Sequence, residues 1–367
     1  MIFRKKEMPC SPETIKDRFR GCLIAGAAGD ALGYPVEFQH LDSIRRTFGE
    51  AGITAFSIFP QFEKAIVTDD TQMTIFTAEG LLACAADGHA GEETAYIRKA
   101  YLAWLFTQKH AFQPHPFKEG AAESTPELPA EFAGIPAMQI PWLYARRAPG
   151  NTCLSALESG GNGTLTQAVN NSKGCGGIMR TAPAGLYAKT AEEAFRIGAE
   201  AAAVTHGHPL GWLPAGMLSY LVHESVFTDT PLSEAAMNAL SLAEEYTVQE
   251  TYLQTLRGVT ERAILLAEKP YDTDTRAIAE LGEGWVGEEA LAVSLYCALR
   301  YPDDPAKCLI AAVNHDGDSD STGAIAGNIL GARLGFSALP AALTDQLEGV
   351  PELTALADRL YESVCSL

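Results

Sequence analysis

The sequence predicts an all-α protein that forms a single helical domain. Apolar residues recur with a period of about 3.6 along most of the 367-residue chain, which marks one face of an α-helix. Strand patterns are few: Gly52–Ile58 alternates weakly and could be a short hairpin arm or no strand at all. No linker or composition break divides the chain, so we expect residues 1–367 to form one domain. Helical segments without alternating strands indicate a bundle, not a parallel sheet.

Helices are predicted wherever this period persists between capping and breaking residues. Pro35 should end the first helix, because a proline lacks the backbone donor and clashes with the preceding turn. In chain order, the predicted helices are Asp17–Tyr34, Asp70–Ala86, Glu93–Phe106, Ala191–Val204, Gly211–Glu224, Pro231–Tyr246, Thr251–Ala267, Glu288–Arg300, Pro305–Val313, Ser321–Leu334 and Glu352–Val364.

The longest segment without a helical pattern runs from Gln108 to Pro141. The five prolines that it holds before Pro141 oppose helix, so we expect an irregular, insertion-like loop at about residues 108–141. A loop of this length in a compact domain is typically a lid, a binding loop or a disordered segment. We expect substrate specificity to lie there.

The composition excludes several classes of protein. A net charge of −19 without long Lys/Arg runs argues against binding to a nucleic-acid backbone. No run of about 18 apolar residues is present, so no membrane span is expected. Met1 to Thr14 lacks the apolar run of a signal peptide. The eight cysteines form no C-x-x-C pair, which argues against zinc and disulfides and favours reduced thiols in a cytoplasmic protein.

Two predicted helices carry small residues at every fourth position. Such ridges let another backbone approach closely. One interpretation is close packing in the core. The other is a central crossing of the two helices that brings Asp30 and Glu37 to Asp318 and Asp320, and the two are compatible. The ridges are Gly21, Ala25, Gly29 and Gly33 in one helix, and Gly323, Gly327, Gly331 and Gly335 in the other.

Two aspartate clusters carry the strongest chemical signal. They are Thr68-Asp69-Asp70-Thr71-Gln72 and Asp316-Gly317-Asp318-Ser319-Asp320-Ser321-Thr322. Either could simply cap a helix, and Asp69 with Gln72 has the spacing of a capping box. Two carboxylates ~4 Å apart repel by about 4 kcal/mol at an effective dielectric of 20, so clusters that meet in space favour a bound cation. Ligands that are all oxygens suit Mg²⁺, Mn²⁺ or Ca²⁺ better than zinc.

Three further features could belong to a site. Glu37 follows the first helix and stands between apolar neighbours. It could be a surface residue, a ligand or a base. The loop Asn170–Arg180 holds three glycines and a serine and is expected to expose consecutive N–H groups, which suits a phosphate, although an ordinary turn would look the same. Thr205-His206 lies between two predicted helices. His206 could be a histidine at a helix end or a metal ligand.

Taken in order, these segments resemble the ADP-ribosylglycohydrolases. The group includes dinitrogenase-reductase-activating glycohydrolase and the hydrolases of ADP-ribosylarginine and ADP-ribosylserine. The Thr-Asp-Asp motif paired with Asp-x-Asp-Ser is the specific part, whereas the glycine loop alone is not. The matching segments, which run from about residue 17 to residue 335, are Gly21–Gly33, Thr68–Gln72, Gly174–Arg180, Thr205-His206, Gly282–Leu291 and Asn314–Thr322.

The resemblance implies an orthogonal helical bundle with two Mg²⁺ or Mn²⁺ ions at its centre. It implies metal ligands at Thr68, Asp69, Asp70, Asp318, Asp320 and Ser321. It implies catalytic roles for Glu37, Asp69, Asp70 and Asp318, with Glu37 or Asp69 as the general base. The diphosphate loop would include Ser172, Gly174, Cys175, Gly176 and Gly177, with His206 near the nucleotide. Ser321 replaces the threonine, and Cys175 the asparagine, of other members.

The implied activity is metal-dependent removal of ADP-ribose from a modified protein side chain or a small ADP-ribosyl substrate. Cleavage of the glycosidic bond at the ribose anomeric carbon would pass through an oxocarbenium-like state. Two alternatives stay open at this point. The oxygen ligands and phosphate loop would also serve a metal-dependent phosphoesterase acting on a nucleotide. A non-catalytic ADP-ribose-binding or immunity-type protein would be expected to lose the aspartates, which are all present here.

Overall fold

The computed structural model describes residues 11–112, 128–247, 249–269 and 273–365, and these are all-α as predicted. Fifteen α-helices and no β-strand occur in these ranges, and the structure is 68% helical. The helices are α1 (Pro12–Gly33), α2 (Leu41–Phe48), α3 (Asp69–Asp87), α4 (Glu93–Lys109), α5 (Asn151–Glu158), α6 (Ala182–Tyr187), α7 (Ala191–Ala203), α8 (Pro209–Phe227), α9 (Leu232–Tyr246), α10 (Glu250–Glu268), α11 (Asp274–Ala279), α12 (Gly287–Arg300), α13 (Pro305–Val313), α14 (Ser319–Leu334) and α15 (Val350–Cys365).

Every predicted helix is present, with its ends moved by a few residues. The largest change is at α1, which begins at Pro12 because the Ser11 side chain accepts the Thr14 N–H and caps it. Four helices, α2, α5, α6 and α11, are not predicted, because each has eight residues or fewer and shows no sustained period. Gly52–Ile58 contains no strand.

Helices α1 and α14 cross at the centre of the bundle along their small-residue ridges. A Cβ atom added to Gly29 would lie 2.0 Å from the carbonyl oxygen of Gly323, and one added to Gly327 would lie 2.1 Å from that of Ala25. The backbones are therefore in direct contact, as the crossing interpretation predicts. At the end of α1, a Cβ on Gly33 would lie 2.3 Å from the carbonyl oxygen of Ser319. The C-terminus of α1 thus meets the N-terminus of α14.

The buried apolar side chains form one contiguous cluster to which all fifteen helices contribute. Within it, α8 is buried on nearly every side. The Ser219 hydroxyl of α8 donates to the Thr181 carbonyl at 2.9 Å, beside the start of α6. Across the described ranges, no helix combines the length and apolar character that crossing a membrane requires.

The stretch predicted as one irregular loop is partly helical. Helix α4 continues through Gln108 to Lys109, and 3-10 turns form at Pro136–Gln139 and Pro141–Tyr144. Phe132 and Met138 are buried against the core, so this part of the stretch is packed. The prediction for residues 113–127 falls outside the described residues, as does most of the Met1–Thr14 segment.

Candidate metal and substrate site

Asp30, near the end of α1, organises the start of α3. Its fully buried carboxylate accepts hydrogen bonds from the backbone N–H groups of Thr68 at 3.0 Å and Thr71 at 3.1 Å. It also accepts the Thr71 hydroxyl at 2.5 Å. These bonds satisfy donors that an α-helix leaves unpaired at its first turn. They fix the direction in which Asp69 and Asp70 leave the backbone.

Thr68 is the residue that caps α3. Its Oγ1 accepts the backbone N–H of Asp70 at 3.3 Å, and the helix begins at Asp69. The predicted capping box from Asp69 to Gln72 is therefore wrong. Gln72 instead accepts the indole N–H of Trp104 at 3.2 Å in the core. Because Thr68 is the cap, the Asp69 and Asp70 carboxylates are not needed for that purpose.

The second cluster forms the start of α14. Asp318 is the N-cap, and its Oδ1 accepts the Ser321 N–H at 3.3 Å, while Oδ1 of Asp320 accepts the same N–H at 2.9 Å. The tight turn before it requires glycine: Gly317 has φ +126°, and a Cβ there would lie 1.9 Å from the Glu283 carbonyl oxygen. That oxygen accepts the Asp318 N–H at 2.8 Å, which holds the cluster in place.

Glu37 completes the acidic cluster. It follows a 3-10 turn at Tyr34–Val36 and is only 7% exposed, so the surface interpretation is wrong. One carboxylate oxygen from each of Glu37, Asp318 and Asp320 lies within 4.8 Å of the other two. The Oε2 atom of Glu37 is buried and has no hydrogen-bond partner among the described residues. Three carboxylates from two distant parts of the chain therefore converge.

The carboxylates of Asp69 and Asp70 face the same cluster. The Asp70 carboxylate is repelled by Asp69 and Asp318, and its charged form is stabilised by the Ser321 side chain. Its Oδ2 atom is buried without a partner among the described residues. Oδ2 of Asp69 accepts the Gly150 N–H at 3.2 Å. The carboxylates of Asp69 and Asp70 thus lie near enough to Asp318 to be repelled by it, although the closest group of carboxylates consists of Glu37, Asp318 and Asp320.

The pKa values show the electrostatic cost of gathering these groups. Burial, with the charges of Asp318 and Asp69, raises the pKa of Glu37 from 4.5 to about 9. Burial, with repulsion from Asp30 and Asp318, raises the pKa of Asp69 to about 8. The pKa values of Asp70 and Asp320 are raised well above the usual range, first by burial and then by neighbouring aspartates. A cation would offset this repulsion.

The glycine loop lies beside the cluster but offers fewer open donors than predicted. The Gly174 N–H is bonded to the Ser172 hydroxyl at 3.3 Å, and the Cys175 N–H to the Trp285 carbonyl at 3.1 Å. The expectation of consecutive free N–H groups is therefore wrong for these two residues. A 3-10 turn at Cys175–Gly177 follows.

The loop is held against the turn that carries His206. Oδ1 of Asn170 accepts the N–H groups of Ser172 at 3.0 Å and Gly207 at 3.1 Å. A Cβ added to Gly176 would lie 3.2 Å from the imidazole Cε1 of His206. The imidazole of His206 therefore lies directly beside the glycine loop.

Cys175 links the loop to the acidic cluster. Its Sγ lies 2.7 Å from Oδ2 of Asp318. Burial and the charge of Asp318 raise the pKa of this thiol well above its usual value, so the thiol stays protonated. Its S–H group donates a hydrogen bond to the carboxylate. The contact that the sequence left open for Cys175 is therefore directed at the acidic cluster.

A family model described as ADP-ribosylglycohydrolase matches residues 11–366. This chain belongs to the ADP-ribosylglycohydrolase family. The match spans both aspartate clusters, the glycine loop and the α1–α14 crossing, so the resemblance stated from the motifs is confirmed.

Relatives of this ADP-ribosylglycohydrolase align over almost their whole length. An uncharacterized protein of Archaeoglobus fulgidus is 28% identical over 357 residues, which cover 95% of this chain and 97% of that protein. ADP-ribosylhydrolase ARH3 of Mus musculus is 24% identical over 388 residues, covering 94% and 91%. The ADP-ribosyl-(dinitrogen reductase) glycohydrolase of Rhodospirillum rubrum is 24% identical over 337 residues, covering 91% and 92%.

A solved structure supports the fold of this ADP-ribosylglycohydrolase. A chain of an ADP-ribosylglycohydrolase-related protein complex superposes with a TM-score of 0.59 at 22% identity. The superposition covers 96% of this chain and 99% of that chain. At this level of identity the likeness is evidence for the shared helical architecture alone.

Some residues that shape the site of this ADP-ribosylglycohydrolase are not predicted by the sequence. The Arg147 carbonyl accepts the Asp69 N–H at 3.3 Å, and the Arg147 guanidinium forms a buried ion pair with Glu348. Phe38, which is 74% exposed, stacks on Trp285 with ring centroids 5.5 Å apart. Arg147 belongs to no motif, whereas Phe38 is marked only by its position after Glu37.

Proposed function

We propose that this ADP-ribosylglycohydrolase removes ADP-ribose from a modified protein side chain, or from a related ADP-ribosylated substrate. The bond cleaved is the glycosidic bond at the ribose anomeric carbon. The observation that carries the proposal is the buried convergence of Glu37, Asp318 and Asp320 in a chain that matches the family model almost throughout. The relatives named ADP-ribosylhydrolase ARH3 and ADP-ribosyl-(dinitrogen reductase) glycohydrolase support the same reaction class.

We propose that two divalent cations, Mg²⁺ or Mn²⁺, bind this acidic cluster. The buried Oδ2 of Asp70 has no hydrogen-bond partner among the described residues, and a cation would satisfy this atom. The donors are carboxylate and hydroxyl oxygens, which suit hard cations. The residues that would hold them are Thr68, Asp69, Asp70, Asp318, Asp320 and Ser321.

The residues around the cluster would divide the remaining work. When bound, the cations would orient the ribose hydroxyls and activate a water. Glu37 is the better candidate for the base that removes the proton of that water, because its Oε2 is unpaired whereas Oδ2 of Asp69 is bonded to Gly150. The glycine loop would bind the diphosphate at the Gly176–Gly177 turn, since the N–H groups of Gly174 and Cys175 are already bonded.

The proposal is tested by measuring free ADP-ribose released from ADP-ribosylated arginine and serine peptides, with Mg²⁺, with Mn²⁺ and with a chelator. The Asp318→Asn variant should lose more than the roughly 10–100-fold that even outer-shell partners of a metal contribute. Asparagine still accepts a hydrogen bond at the N-cap, so the fold should persist. Circular dichroism would check this.

Asp316→Asn is the matched control, because Asp316 lies in the same loop with its side chain 53% exposed. It should keep nearly full activity. Wild-type turnover by Asp318→Asn with cations present would contradict the proposal. Release of inorganic phosphate instead of intact ADP-ribose would point to a phosphoesterase, and binding of ADP-ribose without turnover would point to a non-catalytic protein.

A further inference from the structure

Arg180 is a buried cation that has no acidic partner in the described part of the chain. Its side chain is fully buried, and none of the described carboxylates forms an ion pair with it. Its guanidinium lies 4.4 Å from the ring centroid of Tyr101 and donates to Sγ of Cys153 at 3.2 Å. The second terminal nitrogen, Nη2, donates to Oγ1 of Thr205 at 2.6 Å. Burying a charge among neutral groups is costly, so each of its contacts is informative.

The contact with Thr205 determines how the next hydrogen bond is made. An arginine nitrogen can only donate, so Oγ1 of Thr205 must be the acceptor of that bond. The hydroxyl then has one proton of its own to donate. Within the described ranges, its remaining partner is Nδ1 of His206, at 2.8 Å. Donation to Nδ1 requires that nitrogen to be unprotonated, which places the ring proton on Nε2.

The surroundings of His206 favour the same uncharged ring. Burial and the nearby charge of Arg180 lower the pKa of this histidine to about 3, so it is neutral at physiological pH. The ring packs under the glycine loop: Cβ atoms added to Gly174 and Gly176 would lie 3.5 and 3.4 Å from Nε2. In the described part of the chain, Nε2 makes no hydrogen bond. It is not among the fully buried polar atoms that lack a partner, so it keeps some accessible surface. His206 is only 1% exposed, and its proton-bearing edge lies against the glycine loop without a hydrogen-bond partner in the described chain.

We propose that Thr205, held by Arg180, is a positioning residue that fixes His206 as the Nε2–H tautomer, so that this edge donates a hydrogen bond to an oxygen of the ligand on the glycine loop. The inference rests on the proposed function for the identity of that ligand, an ADP-ribosyl group. The tautomer itself does not depend on it. His206 would thus recognise substrate as a neutral donor, without moving a proton in the reaction.

The tautomer is measured directly by ¹⁵N NMR of the imidazole nitrogens in protein labelled at histidine, with His206 assigned by comparison with His206→Gln. We expect a protonated Nε2 and an unprotonated Nδ1 in the wild type, and a mixture of tautomers in Thr205→Val, which has no hydroxyl. Thr205→Ser keeps the hydroxyl and should restore the wild-type signals. A wild-type spectrum with the proton on Nδ1 would overturn the proposal without any variant.

Binding of ADP-ribose, measured by calorimetry with Mg²⁺ present, tests the consequence. Thr205→Val should weaken binding by about tenfold, the value of one hydrogen bond, and Thr205→Ser should restore it. His206→Gln offers an N–H near the Nε2 position and should bind more tightly than His206→Asn, whose amide reaches only the Nδ1 position. Equal affinities of these two variants would overturn the donor role. If the wild type does not bind ADP-ribose, the proposed function fails, and the NMR spectra still decide the tautomer.

Discussion

Replacing Gly29 by alanine should destabilise the protein by forcing apart the crossing of α1 and α14. The added Cβ would lie 2.0 Å from the Gly323 carbonyl oxygen and 2.2 Å from its carbonyl carbon, whereas ordinary contact begins at 3.4 Å. Both atoms are backbone, so no side chain can rotate away. To move the Cβ from 2.0 Å to the 3.4 Å of ordinary contact, the helices would have to separate by more than 1 Å at this point.

The magnitude follows from two opposing effects. Overpacking a core typically costs about 1–3 kcal/mol, and more where the neighbour is rigid. Alanine is a better helix former than glycine by about 1 kcal/mol, which offsets part of that cost. Because the clash is with backbone, we take the upper end of the overpacking cost, about 3 kcal/mol, and expect a net loss of about 2 kcal/mol in the free energy of unfolding.

Gly258→Ala is the matched control. Gly258 lies inside α10, and a Cβ there would have no atom within 4 Å. This variant should gain up to about 1 kcal/mol from helix propensity alone. Urea midpoints of the two variants and the wild type, with slopes compared, measure the difference. If Gly29→Ala were as stable as Gly258→Ala, the reasoning about backbone contact would be refuted.

Three further outcomes are expected. Mg²⁺ or Mn²⁺ at about 100 times its dissociation constant should stabilise the protein by about 2.7 kcal/mol and so raise its melting temperature. Asp320→Asn should abolish this rise. A rise of equal size in the variant would exclude Asp320 as a ligand. In chelator, stability should fall as pH rises from about 5 to 9, because the folded chain keeps on Glu37 (pKa about 9) a proton that the unfolded chain releases near 4.5. Asp69, with a pKa of about 8, contributes in the same direction, so Glu37→Gln should reduce the slope without removing it, and an unchanged slope would contradict this. Glu348→Gln should lower the free energy of unfolding, measured in urea, by about 3–5 kcal/mol, because it leaves the buried charge of Arg147 unpaired. A loss below about 1 kcal/mol would show that the ion pair is not essential.

The α1–α14 crossing and the acidic cluster could be predicted because their signals are local and repeated. Glycine or alanine at every fourth position specifies a ridge wherever the helix lies. The aspartates stand within a few residues of a helix start, where the sequence shows both the helix and the carboxylates. Convergence of the clusters then follows from the crossing, since Gly33 touches the backbone of Ser319.

The rest of the site depends on partners far away in the sequence. The N–H of Cys175 is bonded to Trp285, and no property of the glycine loop reveals that. Thr68 displaced Asp69 as the cap because Asp30 holds the Thr68 backbone from another helix. The position of Glu37 was open because a glutamate between apolar neighbours suits a surface or a buried site equally. In each case tertiary contacts decide between local alternatives.

The sequence presents helix capping and cation binding as competing explanations of the aspartates, but in the structure capping uses only some of their oxygen atoms. Asp318 uses Oδ1 for the N-cap, while its Oδ2 faces Cys175. Asp70 needs no cap role because Thr68 fills it, and its Oδ2 is buried without a partner in the described chain. The N-termini of α3 and α14 meet here, and their partial positive charges stabilise the carboxylates. That contribution, of about 0.3–1 kcal/mol for a group at a helix end, is smaller than the combined effect of burial and repulsion that raises the pKa of Glu37 to about 9. Capping therefore accounts for the position of the aspartates but not for the repulsion between them, which the proposed cations would offset.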